Sequence, residues 1–223
     1  WKMYLGRPET DGVRCMAMGV LGSGLGTNKR FAEALPVLET HLALNRRYSS
    51  DENSVLVALS GVAICLENVG RPDESLVIKR DIYARRVATL GASHPETLRN
   101  GMNLAILLVK LKLWDDAKSL LHKLLRPAQR SLGADNETTL NIQFTLSSAL
   151  LNNPNYTRDD LFEAETILQD VLQRRRRVFG LAHPQTRKSE LALARMREIT
   201  QQRARASPHA RDNRKRSPRV DSA

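Results

Sequence analysis

The sequence predicts an all-α fold, a solenoid of about four helix pairs followed by one capping helix. Three observations point there. A turn-like segment recurs: Leu90-Gly91-Ala92-Ser93-His94-Pro95-Glu96-Thr97-Leu98 returns as Leu132-Gly133-Ala134-Asp135-Asn136-Glu137-Thr138-Thr139-Leu140, and again as Phe179-Gly180-Leu181-Ala182-His183-Pro184-Gln185-Thr186. Its glycines stand 42 and 47 residues apart, a period in the range of helical repeats. Aromatic residues make up only 4% of the chain and hydrophobic residues 41%, so the core is built from Leu, Ala, Val and Ile. That supply suits helix-on-helix packing better than a β-sandwich. Large apolar residues also recur at three- and four-residue spacing, as in Leu104, Leu107, Leu108, Leu111 and again Leu120, Leu121, Leu124, Leu125.

The period places each element. Helix pairs are expected at 13–26 with 30–47, 53–69 with 73–89, 96–112 with 115–131, and 138–151 with 160–178, and a last helix at 185–203. The five-residue excess of the second interval falls at Asn152-Asn153-Pro154-Asn155-Tyr156, which is rich in turn formers. One period before Gly91 lies Ser49, inside the polar stretch Tyr48–Asn53, a weaker copy in register. Val62-Ala63, Leu104-Ala105, Leu146-Ser147 and Leu193-Ala194 share one position in the first helices. Asp73-Glu74-Ser75, Asp115-Asp116-Ala117 and Phe162-Glu163-Ala164 open the second helices, with Ala32-Glu33-Ala34 shifted by one residue. Small residues at these places let neighbouring helices approach. Gly91, Gly133 and Gly180 follow basic helical segments and suit the left-handed end of a helix. Pro95 and Pro184 suit a first helical turn, and Asn136 can cap at the matching place. The resulting division is an N-terminal flank at 1–12, a solenoid at 13–203 and a basic, disordered tail at 204–223.

At His94-Pro95-Glu96-Thr97-Leu98, Met102-Asn103-Leu104-Ala105, Asp116-Ala117 and Leu132-Gly133 the chain resembles the tetratricopeptide repeats (TPRs) of the kinesin light chain type. The resemblance spans roughly residues 13–200. It departs from that type in a degenerate first unit, in the insertion of unit four, and in Pro72 where unit three has Trp114. There is no heptad coiled coil of the kind that joins a kinesin light chain to its heavy chain. The resemblance implies a right-handed α-α superhelix, a TPR solenoid that works as a protein-interaction scaffold or adaptor. It also implies that the first helix of each pair lines a concave groove.

The groove positions then follow from helical spacing. In unit three they are Arg99, Asn103, Ile106 and Lys110, at i, i+4, i+7 and i+11 on one face. Their equivalents are Val57, Gly61, Ile64 and Asn68 in unit two, Asn141, Thr145, Ser148 and Asn152 in unit four, and Lys188, Ala192, Arg195 and Ile199 in the last helix. None is acidic. Asn can pin an extended backbone and Arg or Lys can pair with carboxylates, so an acidic or phosphorylated peptide or protein is the expected partner. Solvated helix faces are the plainer alternative for each residue taken singly.

The formal net charge is +11. Nearly half of the excess sits after residue 200, where Arg203, Arg205, Arg211, Arg214, Lys215, Arg216 and Arg219 face only Asp212 and Asp221. The tail offers an alternative function, nucleic-acid association or nuclear import, although it lacks the aromatics that stack bases. Ser207 and Ser217 each precede proline and are phosphorylation candidates. The run Arg174-Arg175-Arg176-Arg177 reads as a solvated helix end. Gly22-Ser23-Gly24-Leu25-Gly26 does not match a nucleotide loop, and the five histidines show no ligand spacing. His94 and His183 belong to the repeat turn. No catalytic, metal or cofactor constellation stands out, so the chain is not expected to be an enzyme. Cys15 and Cys65 sit in apolar helical patterns and read as buried free thiols of a reducing, cytoplasmic compartment. No apolar stretch approaches the length of a membrane span.

Overall fold

The computed structural model describes residues 6–8, 11–49 and 51–206, with side chains described as far as residue 202. The basic tail from residue 207 onward lies outside the described residues, as does most of the N-terminal flank. Nine helices make up the regular structure among the described residues: α1 (Gly12–Thr27), α2 (Phe31–Tyr48), α3 (Glu52–Asn68), α4 (Pro72–Leu90), α5 (Pro95–Lys110), α6 (Trp114–Ser131), α7 (Glu137–Asn152), α8 (Arg158–Phe179) and α9 (Pro184–Ala206). The expected bounds hold to within two residues, except that α9 runs three residues further. No described helix is long and apolar enough to cross a membrane.

The repeated segment has a physical reason at each position. His94 and His183 are the N-caps of α5 and α9, where each Nδ1 accepts from the backbone N–H two residues on at 3.2 Å. Asn136 caps α7 in the same way at 2.8 Å, and Asp51 caps α3 with bonds to Asn53 and Ser54. Pro95 and Pro184 follow in the first turn, where a missing N–H costs nothing. The threonines Thr97, Thr139 and Thr186 are fully buried. Thr97 donates to the carbonyl of Arg86 and Thr186 to that of Gly180, tying the new helix to the end of the old one. Gly91, Gly133 and Gly180 adopt φ of 82°, 92° and 84°, which an L side chain resists. Ser49 takes their place in the first unit with φ of −96°, so that turn needs no glycine. The expected basic residues before each glycine are absent from the last turn of α4, whose Arg86 is drawn inside instead.

A second recurring device joins the two helices of a pair. Lys29, Gly70 and Lys112 have φ of 60°, 86° and 61°. The next residue in each case donates its N–H five residues back: Arg30 to Leu25, Arg71 to Leu66 and Leu113 to Leu108. This is the Schellman closure of a helix C-terminus.

The chain forms two compact units, Trp1–Asp116 and Ala117–Ala223. In the first, α1 to α5 pack each on the next, and the first helices α1 and α3 also touch. Its core includes Leu38, Leu56, Leu59, Val62 and Ile82. In the second, α7, α8 and α9 pack together around Leu146, Leu168, Val171 and Met196. The small residues expected at close approaches have no exposed surface: Ala63, Ala105 and Ser147 in first helices, and Ala34, Ser75, Ala117 and Ala164 in second helices. Ala194 is the exception and lies exposed on α9, which no further described helix covers.

Candidate functional site

In the first unit the nominated positions of α3 and α5 lie beside two cavities, each between successive first helices and floored by the second helix between them. The larger, about 860 Å³, lies between α1 and α3 over α2, and Val57 and Gly61 form part of its wall. The smaller, about 270 Å³, lies between α3 and α5 over α4. Ile64 and Asn68 line one side of it, and Asn103, Ile106 and Lys110 the other. Arg99 stands exposed at the start of the same helix face, with Glu96 at 3.5 Å. Ile106 is 38% exposed.

The smaller cavity is more acidic than the sequence suggested. Glu67 of α3 is nearly buried in its wall, where it pairs with Lys79 and lies 3.4 Å from Lys110. Lys79 also reaches the carbonyl of Asn103 at 3.5 Å. Lys110 is therefore partly neutralised. Sequence reasoning passed over Glu67 because it sits beside the nominated Asn68, and Lys79 because it comes from a second helix. Asn68 spends its amide N–H on the carbonyl of Ile64 at 2.7 Å, leaving its oxygen for a ligand.

The larger cavity was not anticipated. Stepping 41 residues back from Val57, Gly61, Ile64 and Asn68 reaches Met16, Val20, Ser23 and Thr27, all on its wall. The one-residue shift already visible in the second helix of this unit was the signal that would have found them. Its floor carries a neutral polar chain. The Cys15 thiol donates to Asn45 Oδ1 at 3.6 Å, and Asn45 Nδ2 lies 3.0 Å from His41 Nε2. Burial holds His41 below the usual imidazole range and pushes the Cys15 thiol up. Cys65 is buried as expected, and Cys15 is half-buried; both are free.

In the second unit the nominated residues are more deeply engaged. Asn141, Thr145 and Ser148 are half-buried and Asn152 is exposed. Thr145, Ser148 and Asn152 donate to carbonyls of their own helix at 2.8, 2.9 and 2.7 Å. Asn141 accepts from Arg175 at 2.7 Å, so its oxygen is committed to the fold. On α9, Lys188 and Arg195 are exposed, and Ala192 and Ile199 are half-buried.

The four-arginine run is not a solvated helix end. Arg175 is 1% exposed, donates also to Ser189 Oγ at 2.8 Å and the Gln185 carbonyl at 3.1 Å, and lies 4.8 Å from the Phe144 ring centroid. Burial pulls it down to about 10, against the opposite pull of Glu137. Arg174 pairs with Asp170 and Asp135, Arg177 with Asp135, and Arg176 with Glu190. The run fastens α8 to α9 and to the turn before α7. Arg86 stands 89 residues earlier at the matching place and bonds Asn53 and Glu96. That spacing was the signal for the brace. Among the described residues no group of His, Cys, Asp and Glu is placed to hold a metal ion.

The tetratricopeptide repeat family matches residues 155–185, which cover α8 and the turn into α9. No curated protein matches the chain. Among solved structures, the nearly identical TPR-like repeats of a kinesin light chain-like protein from Podosopora anserina superpose with a TM-score of 0.72 at 22% identity, covering 90% of this chain and 92% of that one. A variant of the same protein gives the same score over 86% and 89% of the two chains. BtubC (BKLC) from P. vanneervenii superposes with a TM-score of 0.71 at 16% identity, covering 96% and 88%. Residues 155–185 thus carry the signature of a tetratricopeptide repeat, and the described residues form an all-helical array folded like the repeats of these kinesin light chain-like structures.

Proposed function

We propose that this protein is a non-catalytic scaffold whose first-helix faces hold a segment of a partner protein bearing acidic or phosphorylated residues. The fold is one that binds proteins and peptides. The observation that carries the finer reading is Arg99, whose side chain is 68% exposed and held only loosely by Glu96. Asn103 and Ile106 extend from it along the same face, giving a cation, an amide and an apolar contact in a row. In the second unit Lys188 and Arg195 add two exposed cations without an ion-pair partner among the described residues. Guanidinium and ammonium groups in such settings bind carboxylate and phosphate through charge-assisted hydrogen bonds.

The test is capture of partners on the full chain beside an Arg99→Glu/Asn103→Asp/Lys188→Glu version. Partners held by the native chain and lost by the variant support the reading; equal capture by both refutes it. Retention that falls steeply with salt and is unaffected by the substitutions would instead favour nucleic-acid association through the basic tail.

A further inference from the structure

The two cavities of the first unit differ in chemistry. The smaller one contains Glu67, Lys79 and Lys110. The larger one, between α1 and α3, is lined by no charged residue. Part of its rim is apolar and open, with Met16 69% exposed, Val20 67% and Val57 57%, and the rest is polar but uncharged, at Ser23, Thr27, Asn53 and Ser54. Ile64, 49% exposed, continues that apolar stripe along α3. Four large apolar side chains left open on two neighbouring first helices, α1 and α3, are more than the scattered exposure normal for a surface.

Missing side chains on α1 and α3 create the depth. A Cβ at Gly22 would come within 2.5 Å of Leu38, and one at Gly61 within 3.3 Å of the same side chain. A Cβ at Gly19 would lie 2.9 Å from the His41 ring. Glycine at these positions lets Leu38 and His41 of α2 rise between the two first helices and form a floor. Cys15, Asn45 and His41 bond one another across the floor, His41 Nδ1 is left without a partner among the described residues, and burial holds His41 towards its neutral form.

We infer that this cavity seats a neutral, apolar segment of a partner protein and excludes charged segments. The inference rests on the scaffold reading above but assigns this subsite a chemistry opposite to that of the Arg99 face. A carboxylate, phosphate or ammonium brought here loses its water and meets no counter-charge, which is strongly unfavourable. An apolar side chain loses nothing and covers Met16, Val20 and Val57. The stripe runs past the cavity to Ile64, which fits an elongated polypeptide better than a compact molecule.

The experiment is selection of random phage-displayed dodecapeptides on the full chain, followed by titration of the recovered peptides against variants. The recovered pool should be rich in Leu, Ile, Val, Met and Phe and poor in charged residues. Its members should lose about tenfold or more in affinity for Val20→Asp and for Met16→Lys, and change less than about twofold for Arg99→Glu. Both substituted side chains are mostly exposed, and circular dichroism of the two variants checks that the fold persists. A pool of acidic peptides lost on Arg99→Glu would overturn this inference while leaving the scaffold reading standing. Apolar peptides indifferent to both Val20→Asp and Met16→Lys, or no recovered peptides, would overturn it as well. So would a dimer of the full chain that Val20→Asp dissociates, because the face would then belong to a second copy.

Discussion

Arg175 is the most informative residue to remove. Its guanidinium reaches Asn141 on α7 and both Gln185 and Ser189 on α9, so one side chain joins three helices. All three acceptors are uncharged. Arg175→Ala deletes three charge-assisted bonds, leaves Asn141 Oδ1 without its partner while Ser189 keeps its bond to the Gln185 carbonyl, and opens a cavity beside Phe144. Each orphaned polar group costs about 1–3 kcal/mol, offset in part because the buried charge itself is removed. The expected net loss is about 3 kcal/mol. Arg175→Met keeps the volume of the stem and drops the desolvation penalty, so it is expected to cost less than the alanine variant. Arg175→Lys presents a single ammonium that cannot span the three acceptors, and falls between them. Urea unfolding followed by circular dichroism at neutral pH measures the series. An alanine variant within about 0.5 kcal/mol of the native chain, or a methionine variant worse than alanine, would refute the argument.

Asp160 completes the capping box of α8 by accepting from the backbone N–H of the N-cap Thr157, and it accepts from Lys118 at 2.5 Å, a bond that holds its carboxyl down to about 2. Its stabilisation is fully present above the unfolded value of 3.8 and is lost as pH falls through about 2, so Asp160→Asn should cost about 2 kcal/mol at pH 7 and almost nothing at pH 2, as read by denaturant titrations at both. His41 is held below its ordinary value of 6.5 by burial, so the unfolded chain takes up a proton more readily than the native one. Stability should therefore decline as pH falls below 6.5, and melting curves of His41→Gln should show a shallower decline. Lys112 carries φ of 61° at the end of α5, where the related turn has Gly70; Lys112→Gly should be stabilising by up to about 1 kcal/mol, and a lower melting temperature would count against strain at that site.

The helices were legible because their signals are local. The His94-Pro95-Glu96-Thr97 segment specifies a cap, a first turn, a buried tie and an acidic first-turn residue within four positions. Gly91, Gly133 and Gly180 mark turns that other residues resist, and Ala105, Ala117 and Ala164 mark contacts too close for anything larger. The face carrying Arg99, Asn103, Ile106 and Lys110 was equally legible, since helical geometry puts i, i+4, i+7 and i+11 together wherever the helix packs.

The state of each polar group on those faces depended on neighbours distant in sequence. Four consecutive arginines cover every side of a helix, so one of them had to face inward. The packing of α7 and α9 determined that Arg175 did so, and that Asn141 turned to meet it. Glu67 became a near-buried counter-ion only because Lys79 of α4 and Lys110 of α5 converge on it. The uncharged cavity of the first unit arises where three helices meet over Gly19, Gly22 and Gly61. The sequence by itself determined where helices begin, turn and approach, because those depend on φ, capping and side-chain size at single positions. Only the tertiary structure decided which charges stay free and which surfaces stay open, because burial and pairing depend on residues brought together from different helices.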